Sequence, residues 1–195
     1  MRVVAGTYGG RTLSAPKGNH ARPTSDRVKE SLFAILRNDV VDAVALDLYA
    51  GSGALGIEAL SRGARRVTLV DQHPRSIATI RANLRALGVS AASVDVVKAT
   101  AASFLGRPST LGRPSTEDSP YDLVFLDPPY DADLAEVFAP LSARSDGLLA
   151  HATLVLEHAS RTDVAEAYGS FTRQRAQRYG DTTLSFFRVG ADSPQ

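Results

Sequence analysis

The sequence predicts an α/β protein with a doubly wound, mostly parallel sheet. Three observations support this fold class: short apolar segments alternate with helical ones, a glycine-rich turn follows the first of these strands, and two β-rich segments flank Gly180 near the end. Strands that are apolar throughout are typical of a sheet covered by helices on both faces. Ligands of such sheets bind outside the carboxyl ends of the strands.

The alternating pattern runs from about residue 44 to residue 168. It predicts strands at 44–49, 66–71, 93–99, 122–127 and 152–158, and helices at 54–63, 74–88, 132–145 and 162–168. Pro74 in the first turn and Gly88 just past the end support the second helix. After this pattern, "SFTRQRAQRY" and "TTLSFFRV" flank Gly180-Asp181, which indicates a tight antiparallel hairpin at the end of the sheet.

A separate arm is predicted before the sheet. "RVVAG" and "RTLSA" flank Tyr8-Gly9-Gly10 as a small hairpin, and "PTSDRVKESLFAIL" follows as a helix. Thr24 is the predicted N-cap, and Asp26 lies in the positive first turn. We therefore expect a hairpin-and-helix arm at 1–40 and the main domain at 41–190.

Composition excludes several kinds of chemistry. The 195 residues include no cysteine, so disulfides and thiolate nucleophiles are ruled out. No apolar run reaches the roughly 18 residues that cross a bilayer, and the first residues lack the apolar segment of a secretory signal, so we expect a cytoplasmic protein. The four histidines have no metal-ligand spacing. We predict no metal.

Charge is unevenly distributed along the chain. The net charge is +1, yet residues 1–37 contain seven Lys or Arg against Asp26 and Glu30, which gives the arm +5. A basic arm suits contact with a phosphate backbone, and a solvated face is the alternative interpretation. A second basic candidate, with the same alternative, is the stripe Arg173, Arg175 and Arg178 on the penultimate strand.

An insertion is predicted at 103–120, where Gly-Arg-Pro-Ser-Thr occurs twice. Such a Pro, Gly and Ser-rich segment cannot bury enough apolar area to order itself, so we interpret it as a mobile addition between two strands.

The glycine turn after the first strand is compatible with two cofactors. Gly51, Gly53 and Gly56 fit G-x-G-x-x-G, and Asp71 follows Gly51 by 20 residues, as in dinucleotide-binding proteins. Asp47 immediately precedes this turn, and a carboxylate about 4 Å from a phosphate is repelled by roughly 1–4 kcal/mol. S-adenosylmethionine is cationic, so the same carboxylate would attract it. We therefore favour it, with an NAD-dependent oxidoreductase as the alternative.

The predicted cofactor contacts follow from this interpretation. Asp71 would accept hydrogen bonds from the ribose hydroxyls, and the loop after the third strand would lie against the adenine. The predicted set is Asp47, Tyr49, Ala50, Gly51, Ser52, Gly53, Asp71, Gln72, Ala99 and Thr100.

"DPPY", residues 127–130, follows the apolar strand "LVFL" and carries the predicted chemistry. An exocyclic amine on a nucleobase needs acceptors for both N–H groups if its lone pair is to point at an electrophile. Asp127 can accept one hydrogen bond and the carbonyl of Pro128 the other, while Pro129 stiffens the segment. Tyr130 offers a face on which an extruded base can stack. The alternative is an ordinary strand-to-helix turn.

These motifs resemble a known family. "DLYAGSGALG" with "DPPY" resembles the class I, S-adenosylmethionine-dependent amino-methyltransferases, and "RVVAGTYGGRTLSAP" followed by "RPTSDRVKESLFAIL" narrows this to the RsmD type. The resemblance implies a Rossmann-like, seven-stranded sheet ending in an antiparallel hairpin. It also implies methylation of guanine N2 in small-subunit (16S) ribosomal RNA, on free RNA or on the subunit.

For the arm, the resemblance implies that Arg22, Thr24, Arg27 and Lys29 engage RNA. Two departures from the family pattern are the duplicated insertion and Lys98-Ala99, where many relatives carry a carboxylate for the adenine amine. Adenine-N6 methylation and a non-catalytic RNA-binding role remain as alternatives. We expect a monomer.

Overall fold

Eight strands form one sheet in the part of the chain that the structure, a computed structural model, describes: residues 1–16, 24–106, 121–145 and 147–190. The strands are β1 Val44–Asp47, β2 Arg66–Asp71, β3 Val94–Lys98, β4 Leu123–Leu126, β5 Thr153–Ala159, β6 Ala167–Tyr168, β7 Phe171–Tyr179 and β8 Thr182–Val189. The helices are α1 Asp26–Leu36, α2 Ala54–Ser61, α3 Pro74–Leu87, α4 Ala101–Leu105 and α5 Leu134–Ser142.

The strand order is β3-β2-β1-β4-β5-β8-β7-β6. The first five strands are parallel, and β8 runs antiparallel between β5 and β7. Gly180 forms the β7–β8 turn with a positive φ of 62°. This arrangement confirms the predicted fold class, including the antiparallel hairpin, and adds one short strand to the seven expected.

The predicted helix at 162–168 is wrong, because β6 occupies its end. Tyr168 pairs with Phe171 of β7, and its ring stacks on Phe138 with 4.6 Å between centroids. Gly169 then turns the chain at φ 55°. A packed aromatic and a tight turn thus favour a two-residue strand over a helix that carries few apolar residues.

Helices cover both faces of the sheet. On one face α1, α2 and α3 pack on side chains such as Phe125, whose ring centroid lies 5.9 Å from that of Phe33 in α1. On the other face α4 and α5 share a second cluster, in which Phe138 and Phe187 are 4.9 Å apart. α4 was not predicted, and it takes up the first residues of the expected insertion. The rest of that insertion, 107–120, lies outside the described residues.

The N-terminal arm packs into the first cluster. An antiparallel bridge joins Arg2 to Thr12, which confirms the hairpin, and Val3 and Leu13 are buried with α1 and α2. The helix starts one residue later than predicted. Ser25, whose hydroxyl accepts from the Val28 N–H, is the N-cap in place of Thr24. The arm shares its hydrophobic core with the sheet. The domain boundary at residue 40 stays a prediction.

A buried carboxylate, Glu58 of α2, ties the arm in place. It accepts hydrogen bonds from the backbone N–H groups of Val4 at 2.7 Å and Ala5 at 3.0 Å, and from Arg62 Nε at 2.8 Å. The fully buried Lys29 lies 3.8 Å from Glu58 and also donates to the carbonyl of Arg2. The hairpin, α1 and α2 therefore share one buried charge pair.

Among the described residues, no helix combines the length and the apolar character needed to cross a bilayer. The same residues contain no group of three or more His, Asp or Glu side chains arranged to hold a metal ion.

Replacing Glu58 with alanine is expected to lower the free energy of unfolding by about 3–5 kcal/mol, because Lys29 would lose its buried counterion and two backbone N–H groups would lose their acceptor. The measurement is urea unfolding followed by circular dichroism. Glu30→Ala, an exposed change on α1, is the control and should stay within about 0.5 kcal/mol of wild type. Equal unfolding midpoints for the two variants would contradict this role for Glu58.

Candidate active site

Four carboxylates lie on one face of the sheet, at or beyond the carboxyl ends of neighbouring strands. Asp71 ends β2, Asp47 ends β1, Asp127 follows β4, and Glu157 lies near the end of β5. The residue two positions before each of them belongs to the cluster under α1–α3: Leu69, Ala45, Phe125 and Val155. Because side chains alternate along a strand, all four carboxylates point to that same face.

The glycine turn between β1 and α2 brings backbone close to these carboxylates. Gly51 and Gly53 adopt positive φ angles of 55° and 82°, and Gly53 N donates to Ala50 O at 2.6 Å. A Cβ on Gly56 would lie 2.4 Å from a Leu69 methyl group, so glycine there lets α2 sit directly on β2. Among the described residues, a Cβ on Gly51 would meet just one atom within 4 Å, which leaves room for a ligand above the turn.

Asn83 of α3 supports this turn, although the sequence analysis did not identify it. Its amide donates to Ser52 O at 2.9 Å and to Ser14 O at 3.0 Å, and its oxygen accepts from Ser14 N at 2.9 Å. Asn83 is buried on the inner face of α3, where most of the other buried residues are apolar. The glycine turn is thereby connected to the N-terminal hairpin.

Asp71 holds the opposite side of the turn. Its Oδ2 accepts from Gly51 N at 2.9 Å, and its Oδ1 accepts from His73 N at 2.7 Å. Each oxygen retains a further lone pair that can accept from a hydroxyl. Gln72 is exposed beside it, and Ala99 N donates to the Asp71 carbonyl at 3.2 Å.

Thr100 caps α4 by accepting from Ser103 N at 3.0 Å. Because Ala99 contacts Asp71, the predicted cofactor residues of β2 and of the loop after β3 lie side by side. Tyr49, which is half-buried, and Ala50 and Ser52, which are buried, form the glycine turn itself.

Asp47 is buried under the first turn of α2. Burial is the main cause that raises its pKa, to about 7, and the charge of Asp71 raises it further. The Gly56 N–H, which donates to Asp47 Oδ2 at 3.1 Å, lowers the pKa and so opposes these effects. An anion here favours a cation in the space beside it.

Asp127 directly follows β4, and its carboxyl group accepts no hydrogen bond from the described residues. Burial raises the pKa of Asp127 well above its ordinary value, and the charges of Glu157 and Asp47 add to this increase. The carbonyl of Pro128 likewise receives no donor from the part of the chain that the structure describes. Pro129 O accepts from Ala132 N at 3.0 Å and closes the turn, and Tyr130 is 58% exposed.

Glu157 was missed by the sequence analysis, which treated "TLVLEH" simply as an apolar strand. The residue is buried, and its Oε2 accepts from the hydroxyl of Thr24 at 2.7 Å. Burial raises the pKa of Glu157, and the hydrogen bond from Thr24 opposes that increase. A single acid within an otherwise apolar strand was the signal that could have identified it.

The arm residues predicted to contact RNA differ in position. Lys29 is fully buried against Glu58, and Thr24 is buried against Glu157, so neither is available to RNA and both predictions are corrected. Arg27 is exposed on α1. Arg22 lies outside the described residues.

The three arginines of the second basic candidate, the β7 stripe, differ in their surroundings. Arg173 pairs with Glu166 and donates to Val164 O at 2.9 Å. Arg175 and Arg178 are exposed, and Arg178 donates to Gly180 O at 2.9 Å. The structure thus leaves two of the three guanidinium groups on an exposed surface.

The sheet order, the glycine turn and the acidic strand ends define a Rossmann-like fold of the methyltransferase type. Known structures agree: "Putative methyltransferase yhhF" of Escherichia coli superposes with a TM-score of 0.79 at 33% identity over 98% of this chain and 99% of its own. Thermus thermophilus hypothetical protein TTHA0928 gives 0.77 at 28% identity, over 97% and 99%.

Sequence comparison identifies the family. Residues 1–188 match the family described as "Conserved hypothetical protein 95". Ribosomal RNA small subunit methyltransferase D of Haemophilus influenzae is 35% identical over 157 residues, which cover 80% of this chain and 78% of the relative. The Escherichia coli protein of the same name is 40% identical over 136 residues, 70% and 63%. The chain belongs to this RsmD-type methyltransferase family, as the resemblance implied.

The raised pKa of Asp47 predicts a specific pH dependence of stability. The folded protein retains a proton that the unfolded chain, with a pKa near 3.8, has lost. The contribution of Asp47 is therefore present below about pH 4 and is lost as pH rises towards 7, by on the order of 2–4 kcal/mol. Asp47→Asn should flatten this dependence, since its amide oxygen can still accept from Gly56.

Urea unfolding measured between pH 4 and pH 7 tests this expectation. The exposed change Asp163→Asn serves as the control and should leave the wild-type slope unaltered. A slope in Asp47→Asn as steep as that of wild type would show that burial does not perturb this carboxyl group as described.

Proposed function

We propose that this protein transfers a methyl group from S-adenosylmethionine to the N2 amine of a guanine in small-subunit ribosomal RNA. The observation that carries the proposal is Asp127, a half-buried carboxyl group with no donor among the described residues, at the edge that holds the glycine turn. Buried polar groups are nearly always paired, so this one is suited to a donor that arrives with a substrate. The relatives' names supply the class of RNA.

The acidic edge fits a cationic cofactor. Asp47, Asp71 and Asp127 would each attract a sulfonium or an ammonium group and repel the two phosphates of NAD, which disfavours the oxidoreductase alternative. The free lone pairs of Asp71 suit ribose hydroxyls, and the open space above Gly51 suits the amino-acid end. Backbone groups of Ala99 and Thr100 would contact the adenine.

The remaining predicted contacts, Tyr49, Ala50, Ser52, Gly53 and Gln72, line the same edge of the sheet and are retained as part of this proposal.

S-adenosylmethionine, when bound, supplies a methyl group attached to a positively charged sulfur. Asp127 and the carbonyl of Pro128 accept the two N2–H hydrogen bonds, so that the nitrogen lone pair is directed at the methyl carbon. The nitrogen that accepts the methyl group would carry one proton more than the neutral product, and Asp127 would take that proton. Positioning of this kind is worth about 7–11 kcal/mol of the barrier.

The RNA would approach over Tyr130 and the start of α1. Tyr130 presents an exposed ring on which an extruded guanine can stack. Arg27 supplies an exposed guanidinium for phosphate contact, and Arg22 remains a candidate from the sequence. Lys29 and Thr24 have no direct role in this proposal, because both are buried.

Asp127→Ala should reduce methyl transfer by about 100-fold or more, because the N2 amine loses an acceptor and its orientation. Asp127→Asn keeps an acceptor oxygen and should retain more activity. Because the pKa of Asp127 is raised, protonation of Asp127 should lower wild-type kcat/KM as the pH falls. Asp127→Asn cannot be protonated at this position, so its kcat/KM should depend less on pH. The assay is radiolabelled methyl transfer to small subunits from cells lacking the protein, with mass spectrometry of the product nucleoside.

The control for this experiment is Asp163→Ala, an exposed change away from the site that should behave as wild type. Incorporation by Asp127→Ala equal to that of wild type would refute the role of Asp127. A methylated nucleoside other than N2-methylguanosine would refute the proposed reaction.

Arg27→Ala should weaken binding to small-subunit RNA and reduce the slope of log K against log salt by about 0.7–0.9, the effect of one lost phosphate contact. Fluorescence anisotropy at several salt concentrations measures both quantities. Arg85→Ala, an equally exposed change on α3, is the matched control. If the two variants show the same slope, Arg27 makes no phosphate contact.

A further inference from the structure

Glu157 lies beside Asp127 by the register of the sheet. β4 and β5 are parallel, and Phe125 pairs with Val155 and Leu126 with Leu156. One residue further along each strand, Asp127 and Glu157 stand in step, and they point to the same face. Adjacent strands are about 4.8 Å apart, so the two carboxyl groups can reach neighbouring atoms of one small planar ligand.

The position of Glu157 is fixed from three directions. β4 lies on one side of β5, and β8 lies on the other, where Leu184 is the partner of Glu157. Above the sheet, the hydroxyl of Thr24 donates a hydrogen bond to Oε2 of Glu157. The residue is only 9% exposed, yet its Oε1 accepts no hydrogen bond from the described residues. Glu157 therefore holds a pre-oriented acceptor oxygen that no donor among the described residues occupies.

We propose that Glu157 selects guanine by accepting its N1–H, while Asp127 and the Pro128 carbonyl accept the two N2–H groups. This inference rests on the proposed function and extends it to the choice of base. The edge of guanine that carries N1 and N2 presents three N–H donors, which match three acceptors at the edge of the sheet. Adenine presents two donors at N6 and a lone pair at N1, which would face the carboxylate of Glu157.

The electrostatics of the pair support this match. Burial raises the pKa of both Asp127 and Glu157, so the two negative charges are costly while no donor is present. A base with three N–H groups offsets that cost by charge-assisted hydrogen bonds, and a base with a lone pair at N1 does not. Sites that pair with a substrate N–H discriminate strongly against analogues that lack it, because their own polar group is left unpaired.

The test uses 2-aminopurine, which keeps the N2 amine of guanine but lacks the N1–H. The target guanine is first mapped, and small subunits are then reconstituted from ligated 16S ribosomal RNA that carries either guanine or 2-aminopurine at that position. Wild type should prefer guanine by roughly 10- to 100-fold in kcat/KM, the effect of one mismatched hydrogen bond to a charged group. Glu157→Gln, whose amide can donate to N1, should bring the two substrates to within about 3-fold.

Two further variants separate base selection from structural support. Glu136→Gln changes an exposed glutamate on α5 and should keep the wild-type preference. Thr24→Val removes the hydroxyl that supports Glu157 but leaves the carboxylate, so it should lower the melting temperature and still prefer guanine. An equal loss of preference in Thr24→Val and Glu157→Gln would assign the effect to the anchoring of α1 and overturn the inference.

The remaining outcomes are also decisive. Wild type that methylates both substrates equally would refute the role of Glu157, whether or not Glu157→Gln folds. Wild type that forms N2-methylguanosine, together with a Glu157→Gln variant of unchanged preference, would refute this inference and leave the proposed function intact. Wild type that forms no N2-methylguanosine would refute the proposed function itself.

Discussion

Parallel pairing of β2, β1, β4 and β5 is the constraint on which the whole site depends. Parallel strands end at one edge of a sheet, and their alternation assigns every second side chain to the same face. Asp47, Asp71, Asp127 and Glu157 converge for that reason, although Asp47 and Glu157 are 110 positions apart in sequence. A slip of one residue in any of these strands would turn its carboxylate to the opposite face.

The N-terminal arm and the acidic edge of the sheet form one unit. Glu58 fixes the hairpin and Lys29 to α2, the helix that begins at the glycine turn, and Thr24 contacts Glu157 at the start of α1. A displacement of α1 would therefore reach both the glycine turn and Glu157 at the edge of the sheet. The arm thus supports the candidate site and also carries the exposed Arg27.

The fold class and the five parallel strands could be predicted from the sequence, because apolar segments and the glycines that end helices are local signals. It did not predict β6, which depends on the ring of Tyr168 stacking on Phe138, a contact between distant segments. The same limit applies to Lys29 and Thr24. Their types suggested exposed RNA contacts, whereas long-range partners, Glu58 and Glu157, bury them. Arg27 has no such partner among the described residues and is exposed, as its type suggested.

The acceptors for the hydrogen bonds of the N-terminal hairpin come later in the chain. During translation, these bonds can form only after those acceptors have been synthesised. Val4 N finds its acceptor on Glu58, 54 positions later, and Ser14 N finds its acceptor on Asn83, 69 positions later. The hairpin is synthesised first, yet it has no docking surface until α2 and α3 have left the exit tunnel. It must therefore wait for α3 before it can join the nascent core.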